Sequence, residues 1–231
     1  VWNKSRYAAK TGVRSNAVEI EPFGTVRGRM FYLVSVYPVD YIPALNQRLP
    51  RKSLQFIIHW DCAKAAPEWA NPRYSSPQLD AVWDEVTLNP RHAIEKSYTA
   101  FPAGYLIIAA PQFAGDAHLA EFAAWQRERG FQVTIESTAV TGNTTDEIKD
   151  YVAAAYSQWE TPPSFLLLVG DTNTIPSWVG GGEGTPHTDL YYATVDGAEY
   201  NTPDLWYGRF SVTSSTQLAN AVSKTLSYEQ G

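Results

Sequence analysis

Ser164-Phe-Leu-Leu-Leu-Val-Gly-Asp171 decides the fold of this chain. An apolar run of strand length without polar alternation is a strand covered on both faces, the condition of a parallel strand inside an α/β sheet. It breaks at Gly170-Asp171, so its carboxyl end delivers a polar loop, and in open α/β sheets that end is where ligands and substrates are handled. Upstream, Tyr105-Leu-Ile-Ile-Ala-Ala110 reads as a second buried strand. His118–Arg129 follows as a helix with Leu119, Phe122 and Ala123 on one face and Gly130 at its end. Phe131–Ser137 is the next strand. Thr144-Thr-Asp-Glu147 is a capping box, and the helix it opens carries Ile148, Tyr151, Val152, Ala155 and Trp159 as a single apolar stripe. Downstream, Leu205–Phe210 reads as a fourth strand. Ser214-Ser-Thr-Gln217 then caps a last helix with Leu218, Ala221, Val222, Thr225 and Leu226 inward. Alternating strands and helices with short links predict an α/β fold: a mostly parallel sheet flanked by helices with right-handed crossovers.

The amino-terminal half has another texture. Ala17–Ile20, Thr25–Tyr37 and Leu54–Trp60 are strand-like, rich in β-branched and aromatic residues, with breaks at Pro22-Phe-Gly24, Pro38, Pro43 and Pro50. The imperfect alternation of Met30–Tyr37 predicts a strand covered on both faces for part of its length. No helical period appears, so residues 1–60 form a small antiparallel β unit. Residues 61–103 carry Pro67, Pro72, Pro77, Pro90 and Pro102, with one short helical segment at Gln78–Val86, and read as a proline-rich linker. Residues 104–231 make the α/β unit.

Net charge is −6 over 231 residues and no Lys/Arg run offsets it, which argues against a nucleic-acid partner. No apolar run approaches the ~20 residues of a membrane-spanning helix. The single cysteine rules out an internal disulfide framework, and the absence of an initiator Met reads as a piece of a longer precursor. Of the 4 histidines, none makes a convincing catalytic constellation. His59 and Cys62 are the close pair, but an odd separation on a strand sends side chains to opposite faces. His118 and Glu121 read as a surface pair, while His92 and His187 sit in loops with nothing nearby to tune them. Gly180-Gly-Gly-Glu-Gly184 lacks the following helix and Lys of a phosphate loop. The acidic turn Asp196-Gly-Ala-Glu-Tyr-Asn-Thr-Pro-Asp204 offers oxygen donors around a Gly, as a hard cation such as Ca²⁺ takes them. Asp196, Glu199 and Asp204 are the candidate metal ligands; a solvated turn between two strands would look the same.

The order Val169-Gly-Asp171, Thr188-Asp-Leu-Tyr-Tyr192, Asp196-Gly197 and Gly208-Arg-Phe210, with Gly24-Thr-Val-Arg-Gly28 and Val36-Tyr-Pro-Val39 ahead of it, resembles the gingipain-type family of cysteine peptidases. The resemblance implies a caspase-like fold, with residues 18–60 as the tail of a β-rich pro-domain and 105–231 as the first subdomain of the catalytic region. It implies a secreted or cell-surface precursor whose catalytic Cys and His lie downstream of Gly231, so no catalytic residue is assigned here. It places the acidic turn where gingipains hold a structural calcium. The expected partners are the rest of the precursor and protein or peptide substrates. Three other readings stand beside it: a family member that processes or sorts secreted proteins, a non-catalytic binding or scaffold module, and a Rossmann-like nucleotide binder.

Overall fold

The computed structural model describes residues 4–8, 10, 16–59, 72–74, 77–88, 103–181, 184–196 and 202–231. The chain divides into two compact units, one of Val1–Gly24 with Met30–Pro67 and one of Thr25–Arg29 with Glu68–Gly231.

The first unit begins with a single turn, α1 (Lys4–Tyr7), and continues into the paired strands β1 (Val18–Val26) and β2 (Arg29–Val36). A second hairpin pairs β3 (Val39–Ile42) antiparallel with β4 (Gln47–Pro50), closed by a 3-10 turn whose last residue, Asn46, takes a left-handed conformation. Four sequence expectations fail here. Thr25–Tyr37 is not one strand: Arg27 and Gly28 both have positive φ (50° and 73°), the requirement of a two-residue hairpin turn, and they split it. Pro22 and Gly24 lie inside β1 instead of ending it, since a strand with one neighbour tolerates a missing donor. Leu54–His59 carries no regular structure, and Ile57 there is 76% exposed. Nor is any residue of β2 buried, because a two-stranded ribbon leaves its faces open.

The second unit carries the core. After α2 (Pro77–Val86) come β5 (Gly104–Ala109), α3 (Pro111–Ala114), α4 (Ala117–Glu128), β6 (Gln132–Ser137), α5 (Thr138–Thr141), α6 (Thr145–Gln158) and β7 (Pro163–Val169). A short hairpin of β8 (Trp178–Val179) and β9 (His187–Thr188) precedes β10 (Trp206–Phe210) and α7 (Ser215–Gln230). The main sheet is wholly parallel in the order β10-β7-β5-β6, so β7 is internal, paired with β5 through Ile107↔Leu167 and with β10 through Gly208↔Leu167. The chain moves from β5 to β6 in one direction and back past β5 to β7 in the other. With right-handed crossovers this places α4 and α6 on opposite faces and makes a switch point at the carboxyl ends of β5 and β7. α7 shares the face of α4, where Trp125 Nε1 and Gln126 Nε2 donate to Glu229 Oε2 at 2.7 and 2.9 Å.

The helices start where their caps say. Asp116 accepts from His118 N, the Thr144–Glu147 capping box is complete, and Ser214 accepts from Gln217 N. The predicted stripes are buried at Leu119, Phe122 and Ala123 of α4, at Ile148, Val152 and Ala155 of α6, and at Leu218, Val222 and Leu226 of α7. They close over Leu106, Ile107, Ile108, Leu168 and Val169 of the sheet.

Candidate functional site

At the carboxyl end of the sheet, three of the sequence motifs meet on one side chain. Arg209, which β10 sends inward, donates from Nε and Nη2 to both oxygens of Asp189 at 2.8 and 2.7 Å. Its Nη1 reaches the carbonyls of Gly170 and Ile175, both at 2.9 Å, and Nη2 that of Pro176 at 3.4 Å. A planar fork is required for this, because one group must serve a carboxylate and several carbonyls at once. Gly170 has φ +148°, and a Cβ there would meet Thr174 Oγ1 at 2.6 Å, so only glycine lets the loop fold back under Arg209. Tyr192 donates to Pro176 O at 2.6 Å and packs its ring against Trp178. Asp171, which follows Gly170, accepts from Ser211 Oγ and Thr172 N. The Ser211 bond, above all, holds its carboxyl below the usual range. A rigid polar rim at the switch point results.

The acidic turn lies at the opposite end, ahead of β10. Asp204 is buried (1% exposed): Oδ1 accepts from Arg27 N at 3.0 Å, and Oδ2 from Val195 N and Asp196 N at 2.7 and 3.0 Å. Asp196 Oδ2 accepts from Gly28 N at 2.5 Å and from the Tyr156 hydroxyl at 3.3 Å. Asp196 Oδ1 is buried and has no hydrogen-bond partner among the described residues. Burial, and next the neighbouring Asp196 carboxyl, push Asp204 up to about 7, against the amides of Arg27 and Val195 that favour its charge. Burial and the adjacent Asp196 likewise push the Tyr156 hydroxyl upward, so it remains a donor.

Of the three candidate metal ligands, the fold thus brings Asp196 and Asp204 together, and Glu199 lies outside the described residues. Among the described residues, no group of three or more His, Cys, Asp or Glu side chains is gathered as a metal site. Sequence reasoning quoted Arg27 within Gly24-Thr-Val-Arg-Gly28 but gave its side chain no role in the site. Its partners lie up to 177 residues away, and the only local signal was an Arg-Gly pair inside what read as a strand.

The histidines remain dispersed. His118 and Glu121 stand 3.9 Å apart on the exposed face of α4, as a surface pair should. His187 does have a neighbour: its Nδ1 lies 2.6 Å from Ser177 Oγ, because the β8–β9 hairpin folds the two loops together. Gly180 and Gly184 belong to that hairpin connection, which leads into β9 and not into a helix. His59 is exposed, while Cys62 and His92 lie outside the described residues. No helix among the described residues is long and apolar enough to cross a membrane.

The model of peptidase family C25 matches residues 98–231. Lys-gingipain of Porphyromonas gingivalis (strain ATCC 33277) is 28% identical over all of this chain, which spans 13% of that protein. Gingipain R2 of the same strain is 27% identical over 54% of the chain and 16% of its own length. The crystal structure of the Arg-specific cysteine proteinase gingipain R aligns with 55% of this chain and 30% of its own, at 24% identity and a TM-score of 0.47. The family match covers more than half of the sequence and falls on the whole parallel sheet with its Arg209 network; the chain belongs to peptidase family C25, a family of cysteine peptidases.

Proposed function

We propose that this chain is the end of the pro-segment and the first α/β subdomain of the catalytic region of a secreted gingipain-like cysteine endopeptidase precursor. The observation that carries this reading is an offset: the family model begins at residue 98, while the similarity to Lys-gingipain covers the whole chain. The residues ahead of the peptidase module are thus of the same kind in both proteins. In the whole enzyme a thiolate attacks the peptide carbonyl, an imidazole moves the proton, and an acyl-enzyme is then hydrolysed. Both groups come from the part of the precursor beyond this chain. The α/β unit supplies the sheet on which that part assembles, and the substrates are proteins or peptides.

Ca²⁺ is the structural ion of this reading, held by Asp196 and Asp204, with Glu199 as the third carboxylate and backbone carbonyls around them. Two observations support such an ion: one buried carboxylate oxygen has no partner among the described residues, and two acidic groups crowd each other. The ion would neutralise the pair and takes no part in the reaction.

Full-length precursor, matured and treated with a thiol-directed activity probe, tests the catalytic reading. One labelled cysteine outside this chain, with loss of peptide cleavage in proportion to labelling, is the expected result. Cleavage that survives complete alkylation would overturn it.

A further inference from the structure

Within the α/β unit, the turn Thr25–Arg29 is held by more directed hydrogen bonds than a hairpin turn needs. Arg27 is 4% exposed although it sits at the tip of a turn, where an arginine side chain ordinarily reaches into water. Its guanidinium donates from Nε to Tyr74 O at 2.7 Å and from Nη1 to Pro163 O at 3.0 Å and Asp204 O at 3.2 Å. Those carbonyls belong to three separate stretches of the chain. The guanidinium carbon also lies 5.4 Å from the centre of the Tyr156 ring, which is stacked on Tyr74 at 4.9 Å. The turn's backbone is read as well: Arg27 N and Gly28 N donate to Asp204 and Asp196, and Thr25 O accepts from Thr202 Oγ1 at 3.2 Å.

We propose that Tyr74, Tyr156, Pro163, Asp196 and Asp204 form a seat that recognises an arginine–glycine turn, with Thr25–Arg29 as its resident ligand held as a releasable clasp. The chemistry selects both residues. Three carbonyls in different directions need the flat fork of arginine; a lysine ammonium on a flexible stem reaches one or two of them without the ring contact. Two amides aimed at two carboxylates need consecutive positive φ, which Gly28 supplies at no cost and Arg27 at a cost offset by its contacts. Nothing covalent holds the turn in the seat, so its occupancy is an equilibrium set by the guanidinium and by the acidic pair. The clasp goes beyond the peptidase reading, which it needs only for its biological use.

Limited trypsin digestion of the whole chain, followed by mass spectrometry, tests the clasp without any use of peptidase activity, so its failure and that of the peptidase reading are separable. Lys52, exposed and outside regular structure, is the internal reference. In the native chain the Lys52–Ser53 bond should be cut at least ten times faster than Arg27–Gly28. In Arg27→Lys, which keeps a trypsin site, cleavage at 27 should rise to within a few-fold of cleavage at 52. Amide exchange of β5 and β7 should stay slow and report an intact sheet. If the sheet loosens, Asp196→Ala, which removes the acceptor of Gly28 N and of the Tyr156 hydroxyl and leaves the guanidinium contacts in place, must raise cleavage at Arg27 in its place. Equal cutting at 27 and 52 in the native chain, or protection at 27 unchanged in the variant with an intact sheet, overturns the proposal.

Discussion

Asp204 sets a pH dependence of its own. Its carboxyl is raised in the folded chain to about 7, by burial first and by Asp196 second, whereas an unfolded aspartate titrates near 3.9. Between those values the folded state binds the extra proton, so this group's contribution to stability is largest in acid and falls as pH rises from about 4 to about 7. The depressed carboxyls of Asp116 and Asp171 act with the opposite sign, losing stability as pH falls through the acid range below 4, so the two windows separate. Melting the chain with a chelator present should therefore give a midpoint that drops between pH 4 and 7, and Asp204→Asn should flatten the drop. Adding Ca²⁺ at pH 7.5 should raise the native midpoint and leave that of Asp204→Asn nearly unchanged, since an ion that binds only the folded chain stabilises it by mass action. Equal midpoints with calcium and with chelator would count against the ion. The carboxylates themselves were legible in the sequence because they lie close together in one turn. Arg27 was not, because an Arg-Gly dipeptide is a weaker turn signal than Asn-Gly or Asp-Gly, and its seat is assembled from remote segments.

At the scale of elements, caps and apolar stripes carried most of the reading in the α/β unit and little of it in the β unit. A helix announces both its start and its buried face locally, as Thr144 and the Ile148–Val152–Ala155 stripe do. Two-stranded ribbons bury no face, so the strands of the first unit showed no firm alternation, and their ends were misjudged at Arg27 and Leu54. The capping box gives a direct test. Thr144 Oγ1 accepts from Glu147 N at 3.2 Å, while Thr144 N donates to Glu147 Oε2 at 3.1 Å. Thr144→Ala keeps the second bond and loses the first, and should cost about 1 kcal/mol in denaturant unfolding at constant slope. Leu168, fully buried near the carboxyl end of β7, belongs to another class. Leu168→Ala leaves a cavity in the layer packed on the face of the sheet and should cost about 2–5 kcal/mol. If both substitutions cost the same small amount, β7 is not the centre of the core.

For the molecule as a whole, the question is where the thiol chemistry resides. A cysteine peptidase needs a thiol activated by an imidazole within hydrogen-bond reach. This chain has one cysteine, Cys62, ahead of the residues matched by the peptidase-family model. Its family module carries His118, paired with Glu121 on an exposed helix face, and His187, paired with Ser177. Neither arrangement provides a nucleophilic sulfur. The 231-residue chain on its own should therefore leave a mixed peptide library uncut. Full-length precursor should cleave it after maturation, and Cys62→Ala in that precursor should keep both the rate and the melting midpoint. The three proteins assayed side by side, each also treated with a thiol-reactive probe, make the comparison. Cleavage by the isolated chain that disappears with Cys62→Ala would move the active centre into these residues, and the α/β unit would then have to be a peptidase in its own right.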